Sequence, residues 1–498
     1  MAPPLGKVFL DARSVLEAAA DTHGNREAYV EPDGRMTFAQ WIDRARAVAV
    51  QFADLGVGKG DVVALWLPSG IDYAICYAAA VMIGAITTGL NPRLGPREIE
   101  FIVDHSDPAL IVADDQLGRI PTGGQPVLSR GSLSIASGRS EPPAVTLDRR
   151  DPVALIFTSG TTGAPKGAVF DASGLQAGAL SAGVMSAPYD RRLTSTPFAH
   201  AGYMFKLWDQ LVWGTTLVVP PSPWSAAGMF EILRTERVTV AGAVPTQWAK
   251  LLEVDGVCPE ALPHLRIGVA ATAPASPDLV RRVAQRIGVP LVVRYAMTEC
   301  PTICGTAPDD PPDVQSQTVG RPADGMTVRV AGDGVIEVSG PCLMRGYWRD
   351  PELTASVLRD GWLRTGDMGV LREDGNLSIV GRSGDMYIRG GYNVHPVEVE
   401  RVLVSHTGVN QAAVVGRPTP VIGEIGVACV VAADPTSPPT LAELRTHVAR
   451  ELADYKAPDE LLIVDELPLT AMLKPDRVAL RELITLHDKD IQRRRTTG

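Results

Sequence analysis

The stretch "IFTSGTTGAPKGAVF", Ile156 to Phe170, sets four hydroxyl residues, three glycines and one lysine between two apolar runs. Gly160, Gly163 and Gly167 let backbone N–H groups approach a ligand, while Thr158, Ser159, Thr161 and Thr162 add hydroxyl donors; the combination suits a polyphosphate. A Walker loop places its lysine directly before Ser or Thr and opens a helix. Here Lys166 precedes Gly-Ala-Val-Phe, so the loop is expected to join two strands. The same composition also suits an ordinary Gly/Thr hairpin.

Working outward, short β-branched runs alternate with longer segments rich in Ala and Leu. "VVALWL" (62–67), "LIVAD" (110–114), "VALIF" (153–157), "TLVVP" (216–220), "VTVAGAV" (238–244) and "LVVRYA" (291–296) are the runs. This texture predicts an α/β fold with parallel sheets. After Thr318 it changes to "MTVRVAGDGVIEVSG" and "LREDGNLSIVGR", where Gly-Asp and Asp-Gly turns predict a small barrel-like β subdomain. From Asp385 onward, helices at "PVEVERVLVSH", "TLAELRTHVARELAD" and "KPDRVALREL" surround the strands "QAAVVGR" and "GVACVVAA", a small α+β unit. We therefore expect a large domain over 1–382 and a small mobile domain over 383–498, joined at "GRSGDMYIRGG", whose four glycines suggest a flexible joint rather than a packed segment. Residues 121–144 read as a surface loop.

Composition narrows the function. A chain of 498 residues exceeds one compact core. The net charge of −10 argues against a general nucleic-acid binder, which needs a basic surface. Cys76, Cys258, Cys300, Cys304, Cys342 and Cys429 form no CxxC pair, so neither zinc nor a disulfide framework is expected and a reducing cytoplasm fits. No signal pattern follows Met1. "YAICYAAAVMIGAITTGL" (73–90) approaches membrane length, but Gly84 and Ile-Thr-Thr divide it into a helix-like and a strand-like half, so no membrane span is expected.

Five motifs in order, "FTSGTTGAPKGAV", "YAMTE", "RTGDMG", "GRSGDMYIRGGYNVHPVEVE" and "LPLTAMLKPDR", make the chain resemble the adenylate-forming superfamily of acyl-CoA synthetases, peptide-synthetase adenylation domains and firefly luciferase. The resemblance spans nearly the whole chain. It implies that a carboxylic acid reacts with ATP to give an acyl adenylate and pyrophosphate, and that the acyl group then passes to CoA. Transfer to an amine is the alternative, and a non-catalytic nucleotide-binding protein is the remaining one.

The resemblance also implies roles. The loop residues Thr158, Ser159, Gly160, Thr161, Thr162, Gly163 and Lys166 would clamp the β- and γ-phosphates. Ala271, Thr272 and Ala273 would leave room for adenine, and Tyr295, Ala296 and Met297 would lie beside the nucleotide. Thr298 would reach the α-phosphate, and Glu299 would ligate Mg²⁺, a cation that takes oxygen ligands. Asp367 would accept from the ribose hydroxyls, with Arg382 assisting. Lys474 would close over the site and bridge the attacking carboxylate and the α-phosphate. Gly384 would be the pivot, and Gly390 and Gly391, with Tyr392 and Asn393, would line a pantetheine tunnel. His200 would stand at the entrance of the acid pocket.

Ala296 and Leu473 stand where relatives usually have Gly, and "FDASG" lacks a frequent His; these departures bear on the acid and the acceptor. Tyr203, Phe205 and Trp248 suggest an aromatic pocket lining. Arg294 and Lys250 leave open a second carboxylate on the acid, as in malonate-type ligases. Which acid is used and the oligomeric state are not legible.

Overall fold

The computed structural model describes residues 2–6, 10–118, 124–133, 141–158, 165–194, 196–270, 275, 277–389, 392–419, 422–470 and 474–496. Among them, four sheets carry the fold. In the first, seven strands run in the order Gly346–Tyr347, Gly167–Asp171, Pro152–Phe157, Ile86–Gly89, Val62–Trp66, Leu110–Ala113, Val127–Ser129. Pairing is parallel from Pro152–Phe157 to the Val127–Ser129 edge, and antiparallel where Pro152–Phe157 meets Gly167–Asp171 and where that strand meets Gly346–Tyr347. Strand Val62–Trp66 is buried at every position, as a strand covered on both faces must be. Val127–Ser129 lies inside the segment expected to be a loop: its main chain pairs with Leu110–Ala113, although Val127 is exposed and so leaves no apolar run to read.

The 73–90 segment divides as expected. Helix Ile71–Met82 is buried from Tyr73 onward, and strand Ile86–Gly89 follows it. Gly84 makes the turn with φ +75°, where a Cβ would stand 2.7 Å from Leu147 Cδ2; both conformation and space demand glycine.

The second sheet has nine strands, ordered Arg321–Pro322, Cys300–Gly305, Leu291–Met297, Ile267–Ala270, Val240–Ala243, Arg191–Leu193, Thr216–Val218, Glu27–Glu31, Gly34–Thr37. Its middle is parallel and its two ends antiparallel. The third is an antiparallel sheet built on the long strand Trp362–Leu371, which pairs with Val335–Ser339, Leu358–Arg359 and Leu377–Arg382. The fourth, on Val409–Thr419 and Gly423–Ala432, includes Tyr387–Arg389, Tyr392–Val394 and Glu460–Ile463. Helices Pro396–Val404 and Leu441–Ala449 share its core, and helix Arg477–Thr496 sends Leu480 and Ile484 into a second small cluster with Val415 and Val427.

The glycine-rich joint is more structured than its composition suggests. Tyr387 is buried and Arg389 pairs with Asp459 at 2.5 Å, so Tyr387–Arg389 is a packed strand. Two absent side chains make room for the tyrosine: a Cβ at Gly426 would lie 2.2 Å from its hydroxyl, and one at Gly416 would lie 2.4 Å from its Cβ. The open part is confined to the preceding turn, where a Cβ at Gly384 would meet nothing within 4 Å.

Candidate active site

The hydroxyl-rich loop leaves one strand and enters its antiparallel neighbour. Phe157 faces Gly167 in register, the Thr158 N–H donates to the Lys166 carbonyl at 2.9 Å, and the Lys166 N–H donates to Thr158 Oγ1 at 3.3 Å. Thr158 and Lys166 thus close the base of the loop. Ser159, Gly160, Thr161, Thr162 and Gly163 lie outside the described residues, as do Ala271, Thr272, Ala273, Gly390, Gly391 and Leu473.

Strand Leu291–Met297 brings Tyr295 to the same cleft, and a bulge between Tyr295 and Met297 leaves Ala296 exposed beside half-buried Met297 and Thr298. A bulge re-aims side chains in this way. The Tyr295 hydroxyl donates to Asp367 Oδ2 at 2.6 Å, and Arg382 Nε donates to Asp367 Oδ1 at 2.7 Å. Asp367 and Arg382 are directly opposite in an antiparallel pair, so the sheet register itself makes the ion pair. Asp367 sits within a strand rather than in the glycine turn that a Gly-Asp pair suggests, because Gly366, at φ +75°, is absorbed into the strand. Each carboxylate oxygen keeps a second acceptor site for a ligand hydroxyl.

Glu299, 8% exposed, is held from two sides. Its carbonyl accepts from the Met344 N–H at 2.8 Å, and its Oε1 accepts from the Tyr347 hydroxyl at 2.7 Å. Lys166 Nζ stands 5.8 Å from the centre of the same tyrosine ring. Tyr347, in "MRGYW", is not legible as a site residue; an aromatic directly after Gly346 is the faint signal it leaves.

Lys474 completes the cleft from the far side. It is carried by a hairpin in which Leu469 bridges Pro475 and the Thr470 N–H donates to the Lys474 carbonyl at 2.8 Å. Helix Arg477–Thr496 follows, pinned by Arg477 to Asp385 and Glu400, each at 3.0 Å. Lys474 is exposed as a residue, yet burial of its ammonium end and the Arg382 guanidinium hold its pKa below the usual lysine range, against the opposite pull of Asp367 and Glu299. Asp367 and Arg382 of the third sheet, Glu299 from between two strands of the second, and Lys474 of the C-terminal hairpin therefore share one electrostatic neighbourhood.

His200 belongs to it as well. It caps the short helix Ala201–Met204, its Nδ1 accepting from the Gly202 N–H at 3.0 Å. Desolvation, and then the charge of Lys474, push its pKa down to about 4. The ring is neutral at neutral pH, and with Nδ1 engaged as an acceptor the free Nε2 is the protonated, donating nitrogen.

Other expected pocket residues lie elsewhere. Tyr203 stacks on Phe198 at 3.5 Å and its hydroxyl bonds to Tyr29. Phe205 fills the space left by Gly178, and Trp248 donates to the Val269 carbonyl from within the core. All three are buried core, because their polar tips and ring faces already have protein partners. Lys250 is exposed on helix Pro245–Leu251, whereas Arg294 is largely enclosed and forms no cluster with it. Among the described residues, no three His, Cys, Asp or Glu side chains gather as a metal site, the cysteines are unpaired, and no helix is long and apolar enough to cross a membrane.

Comparisons with known proteins agree with this geometry. The AMP-binding enzyme domain matches residues 16–348 and the AMP-binding enzyme C-terminal domain matches residues 398–474. The long-chain-fatty-acid-CoA ligase FadD13 of Mycobacterium tuberculosis is 30% identical over 94% of this chain and 97% of that protein. ATP-bound MatB from Rhodopseudomonas palustris superposes with a TM-score of 0.85 at 26% identity, covering 95% of this chain and 99% of MatB. The amide bond synthetase McbA from Marinactinospora thermotolerans gives 0.83 at 29% identity, over 95% and 99%. With matched domains on both sides of a cleft that gathers Tyr295, Glu299, Asp367, Arg382 and Lys474, the chain belongs to the AMP-binding enzyme family and is an adenylate-forming ligase.

Proposed function

We propose that the protein couples a carboxylic acid to CoA in two steps at this one cleft. An acid oxygen attacks the α-phosphorus of ATP, the bond from that phosphorus to the bridging oxygen breaks, and pyrophosphate leaves. The CoA thiol then displaces AMP from the acyl carbon, losing its proton to solvent. The observation that carries this reading is the position of Lys474 beside Asp367, Arg382 and Glu299. Anion attack on an anion is slow unless charge is neutralised and the groups are held in line.

In this assignment Asp367 binds the ribose through its remaining acceptor sites and Arg382 fixes its orientation. Tyr295 locks the other carboxylate oxygen, and Thr298 reaches the α-phosphate. Lys166 and the hydroxyl loop hold the outer phosphates. Lys474 spans the attacking carboxylate and the α-phosphate, and neutral His200 offers its Nε2 proton to the acid at the pocket mouth. Magnesium would arrive with the nucleotide, Glu299 would hold it, and it would neutralise phosphate charge there. The unpaired cysteines suit a reducing cytoplasm.

Gly384, with open space around it, is assigned as the pivot on which the C-terminal unit, residues 383–498, turns between steps. Such a turn would withdraw Lys474 and bring the "GGYN" segment to the acyl group. Amine in place of CoA is the second reading, favoured by the similarity to McbA. To test both, the protein is incubated with ATP, Mg²⁺ and a pool of aliphatic, aryl and dicarboxylic acids, the adenylate is identified by mass, and CoA or amines are then added. CoA-dependent AMP release is expected. Release only with amines selects the second reading, and no adenylate with any acid rejects both.

A further inference from the structure

Helix Pro96–Ser106 carries His105 in its last turn. The imidazole stacks on Phe101, one turn earlier, with ring centroids 5.5 Å apart, and meets the edge of Phe157 at 6.0 Å. Phe157 immediately precedes Thr158 at the base of the hydroxyl loop. Held by these two rings, His105 points its Nε2 at the Trp348 carbonyl, 3.1 Å away. A carbonyl only accepts, so Nε2 carries the proton.

Trp348 is thereby tied through its main chain on both sides. Its carbonyl accepts from His105, and its N–H donates at 2.8 Å to the carbonyl of Gly167, the residue after Lys166. The indole Nε1 is buried without a partner, so the polar anchors of this residue are main-chain ones. A second link from the same helix end, Arg349 to Asp107 at 3.4 Å, is exposed on both sides and holds little. Tyr347 lies directly before the pinned residue. Its N–H donates to Thr354 Oγ1 at 2.8 Å, and its hydroxyl donates to Glu299 Oε1 at 2.7 Å. Peptide units are planar and stiff, so the way residue 348 is held governs the direction of the Tyr347 side chain and, through its hydroxyl, of the Glu299 carboxylate.

We propose that His105 is a positioning residue for Glu299: by holding the Trp348 carbonyl it sets the angle at which Tyr347 presents its hydroxyl, and so aims the carboxylate that would receive Mg²⁺. This rests on the adenylation reading above and adds to it a residue that is assigned no contact with nucleotide or acid. Partners behind a ligating group matter because a slightly misdirected carboxylate binds its cation more weakly.

The test uses His105→Phe, which keeps a ring for Phe101 and Phe157 and removes the donor, and His105→Gln, which supplies an amide N–H at about the same reach. His105→Asn, whose amide falls short of the carbonyl, is a second loss variant should phenylalanine disturb the helix end. ATP binding is measured by isothermal titration with and without Mg²⁺, and the two half-reactions are timed separately. In Mg²⁺ the loss variants should bind ATP about three- to tenfold more weakly, the worth of one hydrogen bond, and their KM for ATP in pyrophosphate release should rise by the same factor. Without Mg²⁺ their affinity, and thioester formation from a supplied acyl adenylate, should stay within about twofold of wild type. His105→Gln should recover most of the loss. Unchanged affinity in Mg²⁺, equal weakening with and without Mg²⁺, or no recovery in His105→Gln overturns the proposal; the second of these would mean that His105 only supports the fold. If no acid is adenylated, the adenylation reading falls, while the Mg²⁺-dependent difference in ATP binding still decides the role of His105.

Discussion

Replacing Lys474 with Met keeps the length of the side chain and removes its charge. Around the ammonium stand two carboxylates, Asp367 and Glu299, against one guanidinium, Arg382. With Lys474 the set is balanced, and without it the attack of one anion on another takes place in a negatively charged cleft. One unit charge at roughly 4 Å in an effective dielectric of about 20 is worth about 4 kcal/mol. The first half-reaction should therefore slow by about 10³-fold. The transfer half, started from a supplied acyl adenylate, already contains its carbon–oxygen–phosphorus linkage and has no such charge to neutralise, so it should change by less than about threefold. Pyrophosphate release and thioester formation, measured separately at saturating substrates, give the two rates. Because Lys474 is an exposed residue with no salt bridge to lose among the described residues, Tm should stay within the range of ordinary surface substitutions. Equal loss in both halves, or a first half slowed less than tenfold, would refute the reasoning.

The same lysine sets a pH limit. Its charged form is the active one and its pKa lies below 10.5, so adenylation should hold at lower pH and fall as pH rises through that depressed value; the limb should be absent from the transfer half. Tyr347→Phe removes the hydroxyl that donates to Glu299 Oε1, leaving an 8% exposed carboxylate short of a donor. Denaturant melts should show a loss of about 1.5–3 kcal/mol, and a change under about 0.5 kcal/mol would show that water replaces the bond. Gly178→Ala drives a Cβ to 2.0 Å from the Phe205 ring and should cost about 1–3 kcal/mol by overpacking, read in the same melts.

What was legible followed from periodicity and turn chemistry. The alternation of β-branched runs with Ala- and Leu-rich segments carried the parallel sheets, and Gly84 marked the exchange of helix for strand, because those signals are local. Val127–Ser129 was hidden because an edge strand is defined by its neighbour's main chain. Four glycines suggest an open joint, yet Gly416 and Gly426, far away in sequence, create the slot that packs Tyr387. Motif order brought Tyr295, Asp367, Arg382 and Glu299 into consideration, but their mutual hydrogen bonds depend on a register 15 residues apart and on a hydroxyl 48 residues away. Neither distance can be read along the chain.

The aromatic residues of the supposed acid pocket illustrate the limit most sharply. Tyr203, Phe205 and Trp248 invite assignment to a ligand because rings suit acyl groups, yet buried rings also suit one another, and stacking on Phe198 and a bond to Val269 use them up. Apolar residues in the "TPFAHAGYMFKLW" segment therefore say little about the substrate.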